Sequence, residues 1–204
     1  MFRKILDKLK KFLLLASIII VSLVNISTSY SIEPDIFVQS TVNRASQALN
    51  SNSSKLEKIE KLKDIAEETV DIKGLGFYTL GSYRKTISED HKKEYDILFK
   101  QYFLKTFSSR LAEYSNPEIE VKSKKELNKN YTMVSSVLVA TEKRPEVKIE
   151  WRIYTKNPDN LKIRDLIIEG LSLARTQKEE FSSIIESNDG DMNALLTSLK
   201  KFIK

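Results

Sequence analysis

The hydrophobic period switches from helix to strand at Asn116-Pro117, returning to helical only from about residue 177, and that switch limits the fold more than any other feature. Upstream, apolar residues recur every three to four positions, as on one helix face; downstream they recur every second position, as on a strand. Residues 34–49 carry Phe37, Val38, Val42, Ala45 and Leu49, with Asp35 in the first turn, and predict a helix. Ser53 or Ser54 caps a second helix, with Leu56, Ile59, Leu62, Ala66 and Val70 on one face and sign-alternating Lys and Glu opposite. Gly74 and Gly76 interrupt the pattern before a short helix bearing Phe77, Leu80 and Tyr83. Ser88, followed by Glu89 and Asp90, caps a long helix running to about Tyr114. Its stripe is Tyr95, Leu98, Phe99, Tyr102, Phe103, Thr106, Phe107, Leu111 and Tyr114, six of nine aromatic where ordinary core helices favour Leu, Ile and Ala. Such a face fills a deep core or lines something large and apolar.

Beyond the switch, Ile119 and Val121 open a short strand and residues 131–141 form a long β-prone run. Residues 147–154 alternate cleanly, with Val147, Ile149, Trp151 and Ile153 on one face and Lys148, Glu150, Arg152 and Tyr154 on the other. A turn at Lys156-Asn157-Pro158-Asp159-Asn160 makes the next strand antiparallel. In that strand Leu161 and Ile163 take one face and Leu166 and Ile168 the other, so either a bulge sits near Arg164-Asp165 or both faces are covered. Helices over 177–187 and 191–202, broken at Asn188-Asp189-Gly190, close the chain. The order predicts the α+β class: N-terminal helices, a curved antiparallel sheet of about four strands, and C-terminal helices, packed on one face of the sheet.

The first 31 residues read as an export signal. Arg3, Lys4, Lys8, Lys10 and Lys11 precede an apolar run over residues 12–24, and Ser29 and Ser31 supply the small pair that a signal peptidase requires. The run is shorter than the roughly 20 residues of a membrane span, so cleavage after Ser31 is expected, leaving a single domain over 32–204 in a bacterial periplasm. Removing the leader lowers the net charge from +6 to +2 and leaves no argument for nucleic acid. Lys-rich stretches at 55–63 and 122–129 are interleaved with Glu and read as solvated faces. The absence of cysteine excludes a disulfide framework and a lipoprotein anchor.

Chemistry has little to work with. His91 is the only histidine, so soft-metal clusters and Ser-His or Cys-His nucleophiles have no parts. Gly74-Leu75-Gly76 lacks the third glycine of a dinucleotide loop and follows a helix. Asp165 and Glu169, with Gly170, read as structural, the carboxylates tying down nearby N–H groups. No enzyme activity, cofactor or metal is expected. What remains is an exported domain whose aromatic helix faces an apolar sheet, a composition suited to a greasy ligand.

Two stretches carry a family resemblance. Val70-Asp71-Ile72 through Leu80-Gly81-Ser82-Tyr83-Arg84-Lys85, continuing into Tyr95, Phe99, Phe103-Leu104, Thr106-Phe107 and Leu111, is one. The other is Asp165-Leu166-Ile167-Ile168-Glu169-Gly170-Leu171-Ser172-Leu173, followed by Phe181 and a helix with Leu195, Leu196 and Leu199. In this order they resemble MlaC, the periplasmic phospholipid-binding (toluene-tolerance) family of the Mla lipid transport system. Arg84, Leu161 and Lys178 depart from its usual Trp, aromatic and Arg. The resemblance implies a fold related to the NTF2-like type, with a cavity for the acyl chains of a glycerophospholipid as cargo. It also implies shuttling between an outer-membrane lipid-handling complex and an inner-membrane ABC transporter with an Mce-domain subunit, which maintains outer-membrane asymmetry.

The expected cavity wall is Phe77, Leu80, Tyr83, Leu98, Phe99, Tyr102, Phe103 and Phe107 on the helices, and Val137, Val139, Ile149, Trp151, Ile153, Leu166 and Ile168 on the sheet. Arg84 and Lys85 beside Tyr83 suit either a mouth that meets a phosphate or a solvated helix end. Two acyl chains bring about 30 methylenes, roughly 24 kcal/mol of gross transfer from water, so a carrier must match the bilayer and unload only when docked. The competing expectation is an exported interaction domain with the same face filled as solid core.

Overall fold

Among the described residues, every α-helix after the first begins where its sequence supplies a capping side chain. The computed structural model describes residues 32–114, 117–142 and 144–204; the expected export signal and cleavage site lie outside them. Helix α1 (Pro34–Asn50) opens on a proline, whose missing N–H is no loss in a first turn. Ser54 and Glu57 form a reciprocal capping box for α2 (Lys55–Thr69). Asp71 accepts from the Gly74 N–H at 2.9 Å and starts α3 (Ile72–Thr79), and Ser88 accepts from the His91 N–H to start α4 (Glu89–Leu111). Between the last two, Tyr83–Lys85 makes one 3-10 turn, so Tyr83 stands outside the short helix expected to carry it.

The sheet is antiparallel and meanders in chain order: β1 (Ile119–Asn128), β2 (Tyr131–Leu138), β3 (Val147–Tyr154), β4 (Lys162–Ile168) and β5 (Leu171–Ser172). Helices α5 (Leu173–Glu186) and α6 (Met192–Ile203) follow. The expected short first strand is ten residues long and takes up the Lys-rich run. It is an edge, and Lys122, Lys124 and Lys125 on it discourage pairing with another chain. The fifth strand is two residues long, with no alternation to betray it. Ser172 ends it and caps α5, its hydroxyl accepting from the Arg175 N–H, so that helix begins four residues earlier than expected.

A bulge decides the faces of β4. Trp151 pairs with Leu166, Arg152 with Asp165 and Ile153 with Ile163, leaving Arg164 as the extra residue. Leu166 and Ile168 thereby join Ile163 on the inner face, and Arg164 and Asp165 both reach the outer one. The inner face of β2 is Thr132, Val134, Ser136 and Leu138. With Ile149, Trp151 and Ile153 it packs under α1, α4, α5 and α6 in one core that includes Val38, Val42, Phe99, Phe181, Ile185 and Leu195.

Candidate functional site

The aromatic stripe of α4 and the inner face of the sheet belong to one apolar core. Phe99 is 2% exposed and stacks on Tyr95 at 5.6 Å and on Phe103 at 6.3 Å; Phe103 stacks on Phe107 at 5.4 Å. Phe181 of α5 meets Tyr95 and Phe99 edge-on. Most polar atoms within this surface are satisfied internally, the buried Thr106 hydroxyl on the α4 stripe being an exception. Trp151 Nε1 donates to Ser136 Oγ at 2.8 Å, Ser136 donates to the Ile149 carbonyl at 3.3 Å, and the Thr79 and Tyr95 hydroxyls share a bond of 2.8 Å. Burial pushes the Tyr95 hydroxyl pKa well up, so the ring stays neutral. A wall made this way offers apolar contact and few free donors or acceptors.

Of the expected wall residues, Leu80, Phe99, Ile149, Trp151 and Ile153 are buried in the core, and Tyr83, Leu98, Tyr102, Phe103, Phe107 and Leu166 are half-buried against it. Ile168 pairs with Ile149 on the same face. Three residues are not brought there. Phe77 is 39% exposed, because its neighbour Gly76 takes the face of α3 that meets Phe99. Val137 pairs with Glu120 and Lys148 on the outer face, and Val139 follows beyond the end of β2 with the same parity. Arg84 and Lys85 are exposed on the 3-10 turn. Asp165 and Glu169 act as the structural carboxylates expected: Asp165 accepts from the Ala174 N–H at 3.0 Å, and Glu169 from the Lys148 N–H.

Two pockets open elsewhere on the described surface, and none of the fifteen wall residues lines either. One, of about 670 Å³, is a largely polar groove between α1 and β1, including Gln39, Asn43, Ser46 and Glu120. The other, of about 360 Å³, lies on the outer face of the sheet beside α3 and is lined by Gly74, Leu75, Tyr78, Leu127, Asn128, Tyr131, Arg152, Arg164, Asp165 and Ala174. Here Arg164 Nε donates to Asp71 Oδ2 at 2.6 Å, Nη1 donates to the Tyr131 hydroxyl at 2.8 Å, and the guanidinium lies 3.9 Å from the Tyr154 ring centroid. Burial opposes its charge, but the bonds to Tyr131 and Asp71 outweigh that and raise its pKa. Alternation in β3 puts Arg152 and Tyr154 on a polar face, yet nothing local in the sequence brings Arg164 and Tyr131 to them; the β4 bulge brings Arg164, and the register of β2 on β3 sets Tyr131 opposite Tyr154.

The family model described as MlaC protein matches residues 39–201. The chain belongs to the MlaC family. A curated relative is the intermembrane phospholipid transport system binding protein MlaC of Haemophilus influenzae, 23% identical over 205 residues that cover 96% of this chain and 94% of that protein. Among solved structures, the phospholipid-binding protein from Ralstonia solanacearum in complex with a phospholipid superposes with a TM-score of 0.72 at 20% identity. The match covers 84% of this chain and 97% of that one, so the two share the α+β fold. In this MlaC-family chain the Leu80-Gly81-Ser82-Tyr83 segment forms the turn from α3 towards α4, with Gly81 at φ +57°, a backbone that favours glycine. The second MlaC-like segment, from Asp165 to Leu173, joins β4 to α5 through β5.

Proposed function

We propose that this protein is a phospholipid-binding component of a lipid transport system, and that it holds acyl chains between the aromatic stripe of α4 and the inner face of the sheet. The observation that carries this is the placement of α4. It leans on α2, α3 and α6 more than on any strand, so large side chains span the interval between helix and sheet. Acyl chains enter by displacing those side chains, exchanging one apolar neighbour for another. The wall is then Leu80, Tyr83, Leu98, Phe99, Tyr102, Phe103, Phe107, Ile149, Trp151, Ile153, Leu166 and Ile168. The role fitting this chemistry is that of a periplasmic carrier, not an enzyme, loading at an outer-membrane complex and docking on an inner-membrane Mce-type ABC transporter. Membership of the MlaC family and the phospholipid named for both relatives support the reading.

One observation favours a second reading, an exported interaction domain: the wall residues pack closely, Ile153 being fully buried, and the two pockets described above lie elsewhere. Native mass spectrometry of the protein exported by a bacterial host separates the two. A stoichiometric phospholipid, identified after denaturation, is expected of the carrier; a folded protein with a clean apo mass sinks that reading in favour of the interaction domain.

A further inference from the structure

The 360 Å³ pocket has a donor arrangement that its own carboxylates leave unused. Asp71 is committed to Arg164 and to the Gly74 N–H. Asp165 accepts from Ser172 Oγ at 2.7 Å and from the Ala174 N–H at 3.0 Å in the first turn of α5, where the helix dipole already favours a negative charge. Arg152 is left with a single ion-pair partner among the described residues, Asp165 at 3.8 Å, beyond hydrogen-bonding distance, and its side chain is 40% exposed. Tyr131 accepts its bond from Arg164, so the proton on its own oxygen is free to be given to a ligand.

A guanidinium fork and a hydroxyl proton are both donors, the complement of phosphate oxygens. Leu75, Tyr78 and Leu127 supply an apolar side to the pocket, with Asn128 the one other polar side chain in its wall. Leu75 also packs against the core, which makes it the partition between this pocket and the acyl wall. We propose that the pocket binds a phosphate ester carried on an apolar stem, through Arg152 and the Tyr131 hydroxyl. This rests on the carrier reading and places the mouth beside α3 and β4, away from Arg84 and Lys85. Arg164 is a positioning residue: it turns Tyr131 and does not itself reach the ligand.

The test loads the purified, exported protein from vesicles containing equal amounts of phosphatidylcholine and diacylglycerol, and identifies the recovered lipid by mass spectrometry. Wild type should favour the phosphate-bearing lipid. Arg152→Gln should reduce that preference about tenfold and Tyr131→Phe about threefold, with diacylglycerol still recovered as proof that chain binding and folding survive. An unchanged preference in both folded variants overturns the inference, as does a wild type that takes the two lipids equally. Recovery of neither lipid instead defeats the carrier reading on which it rests. In a second arm, millimolar glycerol 3-phosphate that raises the melting temperature of wild type but not of Arg152→Gln assigns the site to free phosphate esters; no shift alongside a lipid preference assigns it to the lipid headgroup.

Discussion

Ser136 shows how much a single small residue settles in this core. Its hydroxyl accepts from Trp151 and donates to the Ile149 carbonyl, so it satisfies an indole N–H that burial would otherwise strand. Ser136→Ala is expected to cost about 1–3 kcal/mol, read as a lower urea midpoint at unchanged slope. Asp71 has a comparable double role as cap of α3 and partner of Arg164. Replacing it with alanine removes a cap of about 1 kcal/mol and leaves a half-buried guanidinium without its carboxylate, so a loss of roughly 2 kcal/mol in the same assay is expected. Neither role is visible in sequence. Gly74 and Gly76 hide the helix that Asp71 caps, and its partner Arg164 lies 93 residues away.

At the scale of elements, the approach of α3 to α4 depends on Gly76. A Cβ there would lie 2.8 Å from the Phe99 ring, so Gly76→Ala must push the stacked aromatics apart. Overpacking of this kind costs about 1–3 kcal/mol, and the variant should melt lower and recover less lipid. The junction of α1 with β1 is electrostatic: Lys124 donates to Glu33 and Asp35, each at 2.7 Å. The Lys124 hydrogen bond holds the Asp35 pKa below its usual value. A depressed carboxylate stabilises the fold above its ordinary pKa, and that stability is lost as pH falls through the lowered one. Lys124→Met should therefore flatten the decline in stability between about pH 5 and pH 3. Because the pair is solvent-exposed and screened, the difference is small, and urea titrations at the two pH values read its sign. Element type was legible wherever periodicity was long, as in α4 and β3. In β1 only the start at Ile119 and Val121 was legible, because the Lys and Glu beyond it look like any solvated face, and β5 is too short to have a period.

For the molecule as a whole, the decisive comparison is between the two faces of the sheet. Phe103→Asp, on the half-buried edge of the proposed wall, is expected to lower lipid recovery while the protein still folds; Val137→Asp, on the outer face, should leave both recovery and melting temperature nearly unchanged. Equal loss of lipid from the two variants, measured by extraction and mass spectrometry, would break the link between the inner face and the cargo. Sequence alone determined the α+β class, the caps at Ser54 and Ser88, the aromatic stripe and the resemblance to MlaC, because these depend on neighbours within about four residues or on recurring local patterns. Tertiary structure alone decided which parity of β2 faces inward, that the bulge at Arg164 returns Leu166 and Ile168 to the core, and that Tyr131, Arg152 and Arg164 meet in one pocket. A strand's period says that two faces exist, but only the helices packed against one of them determine which is dry.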